Sequence, residues 1–265
     1  MGKIISLVNQ KGGVGKTTTS INLAAALGYF GEKTLLIDLD PQGNASTGIG
    51  IEKADTRSVY DVLVEKIDIE DAIIRTKFKN LSVLTSTINL AGIDIELINR
   101  SNREPDFIKN AQLKKHLLKI KDKFDYIIID CPPSLGILTT NALTASDSVI
   151  IPVQCEFFAL EGIMQLLNTI MLVQKNLNPS LDIEGVLLTM FDVRTKLAIE
   201  VVTEIRSYFK ERVYDTIIPR LVKLSEAPSH GKPIHIYDET SKGTLAYLNL
   251  AKEVIERNGK EKGTW

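Results

Sequence analysis

The sequence predicts one α/β domain, with a mostly parallel twisted sheet and helices on both faces. Three observations predict it. Short apolar runs rich in β-branched residues recur along the 265 residues, and longer segments with helical spacing lie between them. We find no repeat or Pro/Gly-rich linker that would separate two domains, and α/β domains commonly reach about 250 residues. Alternating strands and helices are typical of a parallel sheet with right-handed crossovers.

The strand candidates are continuously apolar rather than alternating, which indicates strands buried on both faces. In chain order they are residues 3–8, 33–37, 81–84, 126–129, 149–153, 186–189 and 216–218. Helical spacing places Leu113, Leu117 and Ile120 on one face, away from the neighbouring lysines. A last helix at 244–257 is expected to pack on the core. The domain therefore spans residues 1–257, and the polar tail 258–265 is expected to fray.

Composition excludes several classes of protein. Lys and Arg number 32 and Asp and Glu 33, so the formal charge is −1, and any nucleic-acid binding must come from a local basic patch. Two cysteines, Cys131 and Cys155, and three scattered histidines give no zinc or iron–sulfur spacing. A location in the cytosol is expected, because the N-terminus lacks a signal-peptide pattern and no apolar stretch approaches the roughly 20 residues of a membrane span.

A glycine-rich loop directly follows the first strand and precedes the first helix. This strand-loop-helix context is the one a phosphate cradle requires, since glycines let backbone N–H groups approach phosphate oxygens at a helix N-terminus. The lysine after the last glycine would contact the β- and γ-phosphates, and the next hydroxyl would ligate Mg²⁺. The predicted nucleotide-binding residues of the loop are Lys11, Gly12, Gly13, Val14, Gly15, Lys16, Thr17 and Thr18.

The loop departs from the standard pattern, because Gln10 stands where glycine is usual and a second lysine, Lys11, opens the loop. It resembles the deviant Walker A family of P-loop ATPases, which includes ParA/Soj partition proteins, MinD and the nitrogenase iron protein. The resemblance implies that Lys11 reaches across a two-fold dimer interface to the ATP of the partner. Lys11 and Lys16 are then both catalytic residues. Gly12 would then lie where two loops approach, so that a bulky side chain there should block closure.

Three aspartates follow predicted strands. Asp38 and Asp40 come just after the second strand, and in an extended segment they point to the same side. One could support the magnesium shell and the other could orient the attacking water; the resemblance assigns the metal network to Asp38 and hydrolysis to Asp40. Turn formation and helix capping remain the alternative for both. Asp130 ends an apolar strand and fits a Walker B carboxylate that binds magnesium through water.

Four segments resemble ParA/Soj proteins in particular: residues 38–44, 130–136, 152–162 and 218–233. The resemblance implies an ATPase that uses Mg²⁺, dimerises with ATP, binds double-stranded DNA non-specifically on the nucleoid, and is stimulated by a ParB/Spo0J-type centromere-binding protein. It places the adenine near Met190 and Pro219. The cations that would contact DNA phosphates are Arg194, Lys196, Arg220 and Lys223, with Arg206 as a further candidate.

Three other functions stay open. A MinD-like division-site regulator would need a C-terminal amphipathic helix with a basic face, which the sequence after the last predicted helix does not provide. An iron–sulfur carrier is disfavoured by the absence of a CxxC pair. A nucleotide-switched scaffold without DNA affinity would share the ATP site and lack the basic surface. The lysine-rich stretch at 114–123 is interpreted as a solvent-facing helix flank rather than a second basic surface.

Overall fold

The computed structural model describes residues 2–51, 57–156 and 159–259. Its elements in chain order are β1 Lys3–Leu7, α1 Lys16–Tyr29, β2 Thr34–Asp38, α2 Asn44–Gly48, α3 Val59–Leu63, α4 Ile69–Ala72, β3 Ile73–Arg75, β4 Leu81–Leu84, α5 Ile93–Arg103, α6 Gln112–Leu117, β5 Tyr126–Asp130, α7 Ile137–Ala145, β6 Ser148–Gln154, α8 Ala159–Asn176, β7 Asp182–Thr189, α9 Lys196–Phe209, α10 Val222–Glu226, α11 Ile234–Tyr237 and α12 Lys242–Gly259. The predicted α/β class is confirmed.

The strands form one sheet in the order β3-β4-β2-β5-β1-β6-β7. Every pair is parallel except the edge pair β3 and β4. The two central neighbours of β1 lie in register with it, so Leu7 pairs with Asp130 and with Ile150. This register brings the carboxyl ends of β1, β2 and β5 to one edge of the sheet, where ligands bind in open α/β folds.

Two apolar cores lie on the two faces of the sheet. Alternate residues of the same strand enter opposite cores: Ile127 and Ile129 pack on one face, and Ile128 packs on the other. This explains why the strands are continuously apolar in sequence. The face that carries α1 is closed by α12, which buries Tyr247 and Leu250 against it. The last helix is therefore a core helix, as the sequence indicated. Within the described residues, no helix is long and apolar enough to span a bilayer.

The structure corrects the sequence-based element assignment in three places. Residues 216–218 were predicted as a strand, but they do not form one. This segment meets β7 only through single hydrogen bonds, such as Ile218 N to Leu188 O at 2.9 Å, and it lies between two isolated bridges, Val186–Val213 and Phe191–Pro219. The antiparallel strand β3 was not predicted, because it is three residues long and only half-buried. Helix α12 continues through Asn258 to Gly259, whereas the predicted tail begins at residue 258; its remaining residues, 260–265, lie outside the described part.

Candidate functional site

The glycine-rich loop adopts the backbone that its glycines permit. Gly13 and Gly15 have φ values of 74° and 87°, in the left-handed region that favours glycine. Helix α1 begins immediately afterwards at Lys16, so the first N–H groups of the helix and those of the loop lie together. The loop thus forms the concave row of donors that binds anions at a helix N-terminus.

Neighbouring strands hold this loop in place. Asn9 Nδ2 donates to Pro152 O on β6 at 2.7 Å, and Lys11 N donates back to Asn9 Oδ1 at 2.9 Å. At the other side, Thr189 Oγ1 at the end of β7 donates to Val14 O at 2.8 Å. The loop is therefore fixed before any ligand binds, which reduces the entropy cost of binding.

Lys16 lies inside the loop and is almost fully buried. Its Nζ donates to the carbonyl of Lys11 at 3.1 Å. Burial lowers the pKa of Lys16, and the charges of Asp130 and, more weakly, Asp40 oppose this shift. The ammonium thus lies between the loop and the two acidic positions, and the cost of its burial exceeds the stabilisation from their charges.

Lys11 and Gly12 face outward from the same loop. The Lys11 side chain is 45% exposed, and its Nζ lies 3.7 Å from Glu156 Oε2. A Cβ built on Gly12 would meet no atom within 4 Å. The described chain therefore leaves open space for a Cβ at position 12, so that a restriction on such a substitution would come from another molecule.

Asp130, at the end of β5, is fully buried beside the loop. Its Oδ1 accepts a hydrogen bond from Ser20 Oγ at 2.8 Å, whereas Oδ2 accepts none from the described residues. Burial, followed by the nearby charge of Asp38, raises the pKa of Asp130 to about 7, although Thr17, Ser20 and Lys16 favour the charged form. A buried carboxylate oxygen without a donor is suited to a cation or to water bound to a cation.

We expect the variant Asp130→Asn to flatten the pH dependence of stability. The pKa of Asp130 is raised from 3.8 to about 7, so the folded state binds this proton more tightly than the unfolded state. The free energy of unfolding should therefore be greatest below about pH 4 for this group, and should fall as the pH rises through about 7. Urea denaturation between about pH 5 and 8, with a chelator present, measures the slope; identical slopes in both proteins would contradict the assignment.

Asp38 lies next to Asp130 in the sheet register but is engaged differently. Its Oδ2 accepts from both the N–H and the hydroxyl of Ser46 at 2.7 Å, and its Oδ1 accepts from Asp40 N at 3.3 Å. Burial raises its pKa to about 6. Because both oxygens hold the turn that carries Asp40, the geometry favours the turn-forming interpretation of Asp38 over direct metal contact.

Asp40 is half-buried at the start of this turn. Its Oδ1 accepts from Gln42 N at 2.9 Å, and its carbonyl accepts from Ser86 Oγ at 2.5 Å. Ser46 Oγ in turn accepts from Ser86 N at 3.2 Å, so two serines tie the turn to the end of β4. Neither serine was predicted from the sequence, because no local pattern identifies them. Ser20 was also missed, although its i+4 spacing from Lys16 puts both on one face of α1.

The predicted adenine residues lie on the side of the loop next to β7. Met190 has a φ of 51°, uncommon for a residue other than glycine, and its Cε lies 3.9 Å from a Cβ built on Gly15. Pro219 pairs with Phe191, whose N–H donates to Ile218 O at 3.1 Å. Met190 and Pro219 are thus brought near each other, as the prediction requires.

The predicted DNA cations differ in the acidic residues that lie near them. Arg194 pairs with Asp192, and Arg220 is near enough for its charge to lower the pKa of Asp192. Lys223 instead pairs with Asp238. Lys196 is exposed at the start of α9, and Arg206 at its last turn. The lysine-rich stretch is different: Lys115, Lys119, Lys121 and Lys123 each pair with a carboxylate of the same chain, which fits an ordinary solvated flank.

Comparison with known proteins is consistent with this geometry. Residues 2–183 match the family described as AAA domain. The chain is 61% identical over 255 residues to the sporulation initiation inhibitor protein Soj of Bacillus subtilis, covering 96% of this chain and 98% of that protein. It is 51% identical over 259 residues to the chromosome partitioning protein ParA of Myxococcus xanthus, covering 97% and 89% of the two chains. The chain belongs to the Soj/ParA family of chromosome-partitioning ATPases.

A solved structure with a bound nucleotide shares the fold of this Soj/ParA-family chain. A Mycobacterium smegmatis protein called cobyrinic acid a,c-diamide synthase, crystallised with ADP and magnesium, superposes with a TM-score of 0.85 at 36% identity. The alignment covers 99% of this chain and 97% of that one. The fold predicted from the alternating pattern and the ParA/Soj family predicted from residues 38–44, 130–136, 152–162 and 218–233 are both confirmed.

Proposed function

We propose that this chain is an ATP-dependent DNA-partition ATPase in which ATP joins two copies face to face. The dimer binds DNA non-specifically, and a ParB/Spo0J-type protein stimulates slow hydrolysis that releases it. Cytoplasmic location on the nucleoid follows from this role. The observation that carries the proposal is that the two loop lysines differ in exposure. Lys16 is buried within its own site, whereas Lys11 and Gly12 of the same loop face outward.

The loop supplies the ground-state binding of ATP. Backbone N–H groups between Gly13 and Thr18 donate to phosphate oxygens, and the N-terminus of α1 favours their negative charge. Lys16 exchanges its bond to the Lys11 carbonyl for the β- and γ-phosphates. Met190 and Pro219 border the adenine. Because the loop is already tied to β6 and β7, little reorganisation accompanies binding.

Magnesium fits the donor set of this site. The Thr17 hydroxyl would coordinate it, and the buried Oδ2 of Asp130, which has no donor among the described residues, would accept from one of its waters. When bound, Mg²⁺ neutralises charge on the phosphates. Asp38 supports this site indirectly, because its hydrogen bonds with Ser46 hold the turn that carries Asp40.

Hydrolysis requires two further roles. Asp40 orients the attacking water and accepts its proton, from a turn fixed by Asp38 and Ser86. Lys11 of a second copy brings a cation to the γ-phosphate, where negative charge develops during transfer, as an arginine finger does. Lys11 would exchange its exposed contact with Glu156 for the phosphate, and an exposed ion pair of this kind costs little to break.

We expect Arg194→Ala to weaken DNA binding to a similar degree on unrelated sequences. Arg194 is 85% exposed and would contact phosphates, which are the same in every sequence. The slope of log affinity against log salt should decrease by about one for each phosphate that the variant no longer neutralises. Anisotropy with two unrelated duplexes at several salt concentrations measures both. ATP-driven dimerisation should be unchanged, and Lys175→Ala, which removes an exposed cation on α8, is the matched control. An effect limited to one sequence would contradict phosphate-only contact.

A further inference from the structure

Arg194 and Asp192 form a two-pronged ion pair on the predicted DNA surface. Arg194 Nε donates to Oδ1 of Asp192 at 2.8 Å, and Nη2 donates to Oδ2 at 2.6 Å. The backbone N–H of Arg194 donates to the same Oδ1 at 3.1 Å. This fork is also the geometry in which arginine binds a phosphate group. The carboxylate therefore occupies the Nε and Nη2 fork, one of the two edges through which this guanidinium could bind a DNA phosphate.

The position of Asp192 is fixed by its surroundings. Its carbonyl accepts from both the N–H and the hydroxyl of Thr195, at 3.1 and 3.0 Å. The preceding residue, Phe191, is paired with the 218–220 segment through two backbone hydrogen bonds. The carboxylate is only 21% exposed, although its partner arginine is 85% exposed. Asp192 is thus placed on the surface by the fold, and Arg194 can turn away from it.

Hydrogen bonds from Arg194, with a smaller contribution from the charge of Arg220, lower the pKa of Asp192 to about 2. The carboxylate therefore stays ionised at any pH at which the protein works. Its negative charge faces two of the four cations predicted to contact DNA. A DNA phosphate that approaches this fork of Arg194 has to displace Asp192 and is repelled by it at the same time.

We propose that Asp192 competes with DNA phosphates for Arg194 and thereby limits the DNA affinity of each copy of the chain. This inference rests on the proposed DNA-binding function. The limited DNA affinity of each copy matters for the dimer, because two linked DNA-binding surfaces bind far more tightly than either surface does alone. A single copy then binds DNA poorly, and the ATP-bound dimer binds it well.

The second ion pair on this surface provides a matched control. Lys223 pairs with Asp238, whose Oδ1 also accepts from Thr240 at 3.2 Å. Lysine presents a point charge rather than a fork, so Asp238 does not copy the geometry of a bound phosphate. Asp192→Asn and Asp238→Asn each remove one negative charge and keep the side-chain size, but only the first removes the competitor for Arg194.

The test measures DNA anisotropy for the full-length chain and four variants, without nucleotide and with a non-hydrolysable ATP analogue. The variants are Asp192→Asn, Asp238→Asn, Arg194→Ala and the double variant Asp192→Asn/Arg194→Ala. Asp192→Asn should strengthen nucleotide-free binding about three- to fivefold. With the analogue, where each dimer carries two pairs, the gain should approach the square of that value. Asp238→Asn should change binding less than about twofold.

The double variant separates competition from a simple change of charge. Asp192→Asn should have little effect once Arg194 is alanine, because there is no guanidinium to release. An equal gain with and without Arg194 would overturn the inference, as would no gain from Asp192→Asn in a protein that otherwise binds DNA with the analogue. If the unaltered chain binds no DNA under either condition, the proposed function fails and the inference fails with it.

Discussion

Replacing Lys16 with alanine is expected to abolish ATP turnover, with a decrease of at least about 100-fold. Lys16 is the buried cation of the loop, and its ammonium donates to the carbonyl of Lys11 within the loop where phosphates would bind. Its removal takes away the charge that balances the β- and γ-phosphates. Both ATP affinity and turnover should fall, and phosphate release together with binding of a fluorescent ATP analogue measures them separately.

The control for Lys16→Ala is Lys33→Ala. Lys33 precedes β2 at the opposite end of the sheet and is exposed, so its removal changes the charge equally without touching the loop. The pKa of Lys16 is lowered by burial, which means that the folded chain gains little from its charge. We therefore expect Lys16→Ala to fold normally. Intact ATP binding and turnover in the folded variant would show that the phosphate-cradle interpretation is wrong.

The second large effect is expected at Asp40, where loss of the carboxylate should stop hydrolysis but leave ATP binding intact. Turnover should decrease about 100-fold or more, as for loss of a general base. The ATP-bound dimer should then accumulate and remain on DNA. Asp40 lies outside the backbone cradle that holds the phosphates, which is why binding and hydrolysis should separate. Turnover and the dissociation rate from DNA after dilution are the two measurements.

Two substitutions distinguish catalysis by Asp40 from its role in the turn. Asp40→Asn keeps an acceptor for the N–H of Gln42, whereas Asp40→Ala loses it. If the carboxylate is the base, both variants are inactive and both are trapped on DNA. If Asp40 only forms the turn, Asp40→Asn should retain turnover. Normal turnover and rapid release from DNA in Asp40→Ala would contradict both roles.

The parts of the site that depend on local pattern could be predicted from the sequence. Glycines at 13 and 15 permit a left-handed backbone, and the strand that ends at Asp130 is continuously apolar, so both features can be predicted without tertiary information. Contacts between distant segments could not be predicted in this way. The pairing of Asp38 with Ser46 depends on a turn that brings residues eight apart together, and the contact of Asp40 with Ser86 depends on the neighbouring strand β4.

The ion pairs on the surface could not be predicted from the sequence either. From the sequence alone, Arg194 and Lys223 are predicted as cations available to DNA, because their acidic partners have no recognisable spacing. Asp192 is two residues from Arg194, and Asp238 is fifteen residues from Lys223. Likewise, the short strand β3 and the bridged segment at 216–218 have apolar patterns that differ little, yet the first forms a continuous antiparallel ladder with β4, whereas the second meets the edge strand β7 only through single hydrogen bonds and isolated bridges.

The most direct test of the face-to-face dimer is the mass of the full-length chain in solution, by light scattering, with and without a non-hydrolysable ATP analogue and Mg²⁺. We expect a single copy without the analogue and two copies with it. In Lys11→Ala, which removes the exposed lysine but leaves Lys16 in place, the analogue should still bind and the shift to two copies should be lost or strongly weakened. A chain that binds the analogue but keeps the mass of one copy, or a Lys11→Ala variant that pairs normally, would contradict the dimer on which the proposed function depends.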